Sequence, residues 1–319
     1  MGAGLGKVGI VGAGMVGATT AFTLALQQLC REIVLLDVDR KRALGHAMDI
    51  SHGLPFLAPV RVREGDYQDL GGSDLVVVAA GVPQRPGESR LDLAGRNAAV
   101  FADIIPRLDA VLGPEAVVLV LTNPVDVLTW LAGKFGRRPR GRILGSGTLL
   151  DTARLRWLLG RHCGVDTRNV HGYVLGEHGD SAVVVWSGVQ VGGMLLADAC
   201  PRCGRGCPPE IRDEITEEVR RAAGRIIEHK GATYYAVAVA ACRIAQAVLG
   251  DQRSVLTVSC PLEGEYGIRG VSLSLPWVVG REGAMRSIQP ALSPQELEKL
   301  HRSAEILRAA TDKVDAGAG

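Results

Sequence analysis

The chain has 319 residues, 47% hydrophobic and 22% charged, an ordinary globular composition with length for one large or two moderate domains. Its 36 basic and 34 acidic residues leave a formal charge of +2, so no overall field draws it to nucleic acid or to an anionic membrane, and partners must be recognised locally. Apolar runs such as Leu75 to Ala80 fall far short of the roughly 20 residues that span a bilayer, and Met1 to Gly6 carries neither a secretory nor a myristoylation signal, so a cytoplasmic protein is expected.

In chain order, a β-branched run at Lys7 to Val11 predicts a strand, Gly17 to Leu29 a helix, Ile33 to Leu36 a strand, Arg40 to His52 a helix and Leu75 to Ala80 a strand. This alternation is the βαβ rhythm of a parallel sheet with helices on its faces. The runs Lys7 to Val11 and Val117 to Leu121 are almost wholly apolar, as strands buried on both faces should be, and Thr122-Asn123-Pro124 stops the second. From about Gly145 the pattern changes to longer helices, at Leu150 to Cys163 and Pro209 to His229, mixed with strands at Val183 to Val191 and Val271 to Val279. The expected class is therefore α/β: a Rossmann doubly wound parallel sheet over residues 1–145, followed by a mixed α+β catalytic domain over 146–319.

The first strand runs directly into Gly12-Ala13-Gly14-Met15-Val16-Gly17, a GxGxxG at the start of a helical stretch. In that context Gly12 permits the turn, Gly14 the approach of a pyrophosphate and Gly17 the packing of helix on strand, with Met15 and Val16 opening the helix at the phosphates. Asp37 closes the next strand about 20 residues past the last glycine, where an acid accepts from ribose hydroxyls and repels a 2′-phosphate. NAD is thus the expected cofactor, although a flavin protein or an NAD-keeping nucleotide-sugar enzyme remains compatible with this half alone.

In the second half, Gly176-Glu177-His178-Gly179-Asp180-Ser181 sets a histidine between two glycines at a strand-to-loop corner. Its ordinary pKa of about 6.5 suits proton transfer, and no His or Cys accompanies it at ligand spacing, so no metal is expected. Asp151 and Arg154 stand three apart at the start of a helix and share one face. A carboxylate beside a histidine fixes its tautomer, and a guanidinium offers a fork to a substrate carboxylate. Taken singly, the histidine also reads as a turn residue and the pair as a surface ion pair.

Together these segments resemble the L-lactate and malate dehydrogenase family from Gly12 to the helix near Ala304, through the glycine fingerprint, Thr122-Asn123-Pro124-Val125-Asp126, Gly145 to Arg154 and Gly176 to Ser181. The resemblance implies His178 as proton donor and acceptor, Asp151 as its orienting carboxylate, Arg154 as the carboxylate clamp, and Asn123 near both nicotinamide and substrate. It also makes residues 83–91 a loop over the active site, with Arg90 polarising the reacting carbonyl and Gln84 reading the substrate's C3 group. Gln84 has no charge to neutralise a second carboxylate, and Thr233 matches another lactate-type position, so pyruvate and L-lactate are the implied substrates. Arg156 and His171 match positions that bind fructose 1,6-bisphosphate in activated bacterial members, which are homotetramers. Malate dehydrogenase, and a catalytically idle NAD-binding or structural protein, are the alternatives.

Two segments stand outside that scheme. Cys200-Pro201-Arg202-Cys203-Gly204-Arg205-Gly206-Cys207 departs from the family pattern; its CxxC spacing suits Zn²⁺, but no fourth ligand accompanies the three thiols, and it reads as a surface loop. Lys134 to Arg142, with four arginines, reads as a solvated connection.

Overall fold

The computed structural model describes residues 6–57, 59–82, 90–200 and 206–317, without the side chains of 90, 91, 316 and 317. Its first half comprises β1 (Lys7–Val11), α1 (Met15–Leu26), β2 (Glu32–Leu36), α2 (Arg40–Gly53), β3 (Arg61–Glu64), β4 (Leu75–Val78), α3 (Arg90–Val111), β5 (Val117–Val120), α4 (Val125–Phe135) and β6 (Ile143–Gly145). The strands run parallel in the order β3-β2-β1-β4-β5-β6. Every residue of β4 and β5 is buried, as apolar strands covered by helices on both faces must be, and each such Val or Leu contributes about 1.5–3 kcal/mol. The chain order reverses at β1, which lies between β2 and β4; doubly wound sheets open a crevice beyond the carboxyl ends of the strands at that point.

The second half comprises α5 (Leu149–Cys163), β7 (Val170–His171), β8 (Val174–Leu175), β9 (Val183–Val184), β10 (Gln190–Val191), β11 (Met194–Leu195), α6 (Leu196–Ala199), α7 (Pro209–Lys230), α8 (Tyr235–Leu249), β12 (Ser254–Glu263), β13 (Arg269–Gly280), β14 (Gly283–Ser287) and α9 (Pro294–Gly317). The central sheet continues past β6. Ser259 of β12 pairs antiparallel with Gly145, and β13 and β14 follow, so the central sheet has nine strands among the described residues, beside a three-stranded sheet β11-β10-β7 and a two-stranded one β8-β9. Gly145 lets α4 pack closely on this end of β6, because a Cβ there would meet Thr129 Oγ1 at 2.4 Å. Helices α4 and α9 pack against β13, and a smaller apolar cluster gathers around Leu155, Leu159, Val189 and Val219.

Three expectations need correction. The single strand expected over Val183 to Val191 is split into β9 and β10 by a 3₁₀ turn at Trp186–Gly188. The cause is a side chain: Ser187 donates its N–H and its hydroxyl to the Glu296 carboxylate on α9, at 2.9 and 2.6 Å, which pulls the chain out of strand geometry. The stretch Lys134 to Arg142 is not simply solvated. Arg138 is only 5% exposed at its side chain, pairs with Asp109 at 2.9 Å and donates to the carbonyls of Gly113 and Ala116 beyond the end of α3. Arg142 likewise donates to the carbonyls of Glu115 and Arg281. Carbonyl oxygens beyond a helix end need donors, and these cations supply them. Finally, Cys200 and Cys207 are buried in the smaller apolar cluster, where a thiol packs as a small hydrophobe, so at those positions the segment is core; Cys203 lies outside the described residues.

Candidate active site

At the switch point the three glycines of the fingerprint do different work. Gly12 has φ +99°, and a Cβ there would meet the Ala80 nitrogen at 2.4 Å; one on Gly17 would meet the Gly12 carbonyl oxygen at 1.8 Å. Both are demanded by the protein's own packing. Around Gly14 nothing lies within 4 Å of that position, so the absence of a side chain there serves an approaching ligand. Gly14 caps α1 without any side-chain hydrogen bond, leaving the first N–H groups of the helix, at Met15 and Val16, for an anion to accept. Asp37, at the end of β2, ties the loop down: its carboxylate accepts the Ala13 N–H at 2.7 Å and the Asp39 N–H at 2.9 Å. Helix amides for a pyrophosphate and a carboxylate for ribose hydroxyls fit a dinucleotide.

Next to this loop, Asn97 of α3, 1% exposed, accepts the Val82 N–H at 2.8 Å and donates to the Asn123 carbonyl at 2.9 Å. The Thr122 hydroxyl donates to the Ala80 carbonyl at 2.7 Å. Together these bonds join the end of β4's connection to the exposed Asn123, which precedes a cis peptide bond to Pro124. Gln84 and the remainder of the expected loop 83–91 lie outside the described residues, as does the side chain of Arg90, the residue that opens α3.

The histidine corner is assembled from distant segments. Gly176, at φ +84°, exchanges two backbone hydrogen bonds with Ser274 of β13, each 3.0 Å, so the turn grows directly from the sheet. The Glu177 N–H donates to Ser303 of α9 at 2.9 Å, and the His178 N–H to Asp126 of α4 at 2.8 Å. Helix α5 supplies the side-chain partner: Asp151 Oδ2 lies 2.6 Å from His178 Nδ1, and Asp151 Oδ1 accepts from Arg154 Nη1 at 2.9 Å. The first turn of α5 is itself pinned, since the Thr148 N–H donates to the Ser274 hydroxyl and the Thr152 hydroxyl accepts the Val174 N–H.

Electrostatics follow from that geometry. Burial opposes protonation of His178, but the charge and hydrogen bond of Asp151, together with the charge of Asp126, outweigh it and raise the imidazole pKa above its ordinary 6.5. Burial also works to raise Asp151, yet the His178 charge and hydrogen bond, helped by Arg154, hold its carboxyl below the usual range. Asp151 is therefore an ionised acceptor, Nδ1 keeps its proton, and Nε2 is the ring atom that gains and loses one. The His178 side chain is 22% exposed and lines a cavity of about 810 Å³.

Hydrogen bonds thus bring His178, Asp151 and Arg154 together, and join the Gly12 to Gly17 loop to Asp37. Thr233 stands apart from these bonded groups, half-buried in the connection from α7 to α8. Arg156 and His171 line a different cavity of about 360 Å³, where Arg156 Nε donates to the Val170 carbonyl at 2.7 Å. Sequence reasoning assigned no part to Asn97, Asp126 or Ser303. An acid inside the apolar run Val125 to Leu128 was a readable signal for Asp126, whereas nothing in the sequence singles out Ser303.

Comparison with known proteins places both halves. Residues 6–145 match the lactate/malate dehydrogenase NAD binding domain, and residues 148–317 the lactate/malate dehydrogenase alpha/beta C-terminal domain. An L-lactate dehydrogenase of Thermoanaerobacter pseudethanolicus is 49% identical over 311 residues, 98% of this chain and 100% of its own. One from Thermus aquaticus is 52% identical over 304 residues, 95% of this chain and 98% of its own. The crystal structure of a minor L-lactate dehydrogenase from Enterococcus mundtii, in its ligands-bound form, superimposes with a TM-score of 0.94 at 37% identity, covering 97% of this chain and 98% of the other.

Proposed function

The chain belongs to the lactate/malate dehydrogenase family, and from that premise we propose that it interconverts pyruvate and L-lactate with NAD as cofactor. The observation that carries this reading is the 2.6 Å pairing of His178 with an ionised Asp151, which makes the histidine a proton donor near neutral pH. In the reductive direction, His178 delivers a proton from Nε2 to the pyruvate carbonyl oxygen, and Asp151 stabilises the imidazolium before that transfer. Bound NADH supplies the hydride that the carbonyl carbon receives. Arg154 grips the substrate carboxylate, while Arg90 polarises the carbonyl and Gln84, Asn123 and Thr233 bound the rest of the pocket. The uncharged Gln84 favours pyruvate, because a second carboxylate buried there would lack a counter-ion. Gly14, Met15, Val16, Asp37 and Asn123 hold NAD at a loop that Gly12 and Gly17 shape.

The division into a nucleotide half, 1–145, and a substrate half, 146–319, is supported by the change from parallel to antiparallel pairing at Gly145 and Ser259. We read the protein as a cytoplasmic homotetramer in which Arg156 and His171 receive fructose 1,6-bisphosphate, a reading supported by their shared cavity. The test is NADH oxidation with pyruvate and with oxaloacetate, each with and without the bisphosphate. Faster turnover of oxaloacetate would sink the lactate assignment, and a pyruvate saturation curve indifferent to the bisphosphate at several pH values would remove the effector.

A further inference from the structure

Asp126 is an acid where an amide would satisfy every hydrogen bond it makes. It is 2% exposed, at the second position of α4. One oxygen accepts the His178 N–H at 2.8 Å and the other the Ser259 hydroxyl at 2.6 Å. Asparagine could accept from the same N–H and donate to the same hydroxyl, since a hydroxyl takes either role. What the acid adds is charge, and burying a carboxylate costs several kcal/mol unless something compensates it. The compensation is partial: burial pushes the carboxyl up to about 6, against the Ser259 and His178 hydrogen bonds and the His178 charge that pull it back. Asp126 borders the same cavity as the imidazole and holds the histidine from the main-chain side, as Asp151 holds it from the ring.

We propose that Asp126 is a positioning residue for proton transfer, fixing the main chain of His178 and lending a second negative charge to the imidazolium. This rests on the pyruvate–lactate reading of the same site. Among the described residues, the other charged groups that face His178 are Asp151 and Arg154 on α5 and Glu177 and Asp180 on its own corner. Across the cavity stand Arg220 of α7 and Lys299, Arg302 and Lys313 of α9. None is altered by Asp126→Asn, so that variant isolates one charge while keeping both hydrogen bonds.

The experiment follows kcat/KM for pyruvate against pH in the wild type and in Asp126→Asn, alongside Tm, the NADH dissociation constant and NMR titration of the His178 ring, assigned with His178→Gln. The expected result is an unchanged NADH affinity and a Tm no lower than that of the wild type, since the cost of burying the charge is gone, with the midpoint of both titrations lowered by about half a unit to one unit. Ser259→Ala removes one hydrogen bond from the carboxylate and favours its neutral form, so it should move the midpoint the same way by less; it decides the matter if Asp126→Asn does not fold. Midpoints unmoved in the folded variants overturn the proposal. A wild type that does not reduce pyruvate sinks the functional reading instead, and the ring titration still decides the role of Asp126.

Discussion

The nucleotide loop and the histidine corner both grow from strand ends turned by glycine, yet they are held in opposite ways. The loop takes its shape from missing side chains: Gly12 and Gly17 let main chain touch main chain, and one carboxylate, Asp37, ties it down from 24 residues away. The corner is shaped by side chains that arrive from elsewhere, with Asp126 reaching it across 52 residues and Ser303 across 126. A site made of backbone is written in a contiguous motif and is damaged by adding atoms. A site made of converging side chains is written in scattered positions and is damaged by removing them.

The largest effect that sharpens this contrast is removal of the imidazole. His178→Ala should lower kcat/KM for pyruvate by about 10²–10⁴-fold, the usual contribution of a positioned general acid, with the NADH dissociation constant unchanged. Loss of NADH binding as well would show that the two regions are one coupled unit. Next comes the pair Gly17→Ala and Gly14→Ala. The first drives a methyl into a main-chain oxygen 1.8 Å away, an overpacking of about 1–3 kcal/mol or more, and should lower Tm by several degrees. The second meets open space; Tm should hold while NADH binding weakens about tenfold, or about 1.4 kcal/mol. Equal losses of Tm would erase the distinction between packing and ligand glycines.

Asn97 belongs to neither region but ties the chain after β4 to Asn123, and Asn97→Ala removes two part-buried hydrogen bonds, at about 0.5–1.5 kcal/mol each. Tm should fall and KM for pyruvate should rise more than the NADH dissociation constant; an effect on NADH alone would assign Asn97 to the loop. The smallest displacement is in pH. Because the His178 pKa is raised, pyruvate reduction, which needs the protonated ring, should be sustained below a midpoint above 6.5 and fall as pH rises through it. Lactate oxidation needs the neutral ring and should rise through the same midpoint. A reductive midpoint below 6.5 would mean that burial, not Asp151, controls the ring.

By itself the sequence determined four strands of the parallel half of the sheet, because β1, β2, β4 and β5 are apolar runs whose burial needs no information from afar. It carried the glycine loop as one contiguous motif with an acid closing the next strand, and through family motifs it pointed to His178, Asp151 and Arg154. Tertiary structure alone decided that β12 to β14 extend the first sheet, since Ser259 and Gly145 carry no sign of each other in the chain. It alone turned Val183 to Val191 into two short strands through Glu296 on a distant helix, and made arginines that read as solvated into donors for main-chain carbonyls beyond the end of α3. It alone set Asp126 and Ser303 under the histidine. Local periodicity records what a residue needs to be buried from; which polar group it then meets depends on long-range packing, and that is written in no single stretch of sequence.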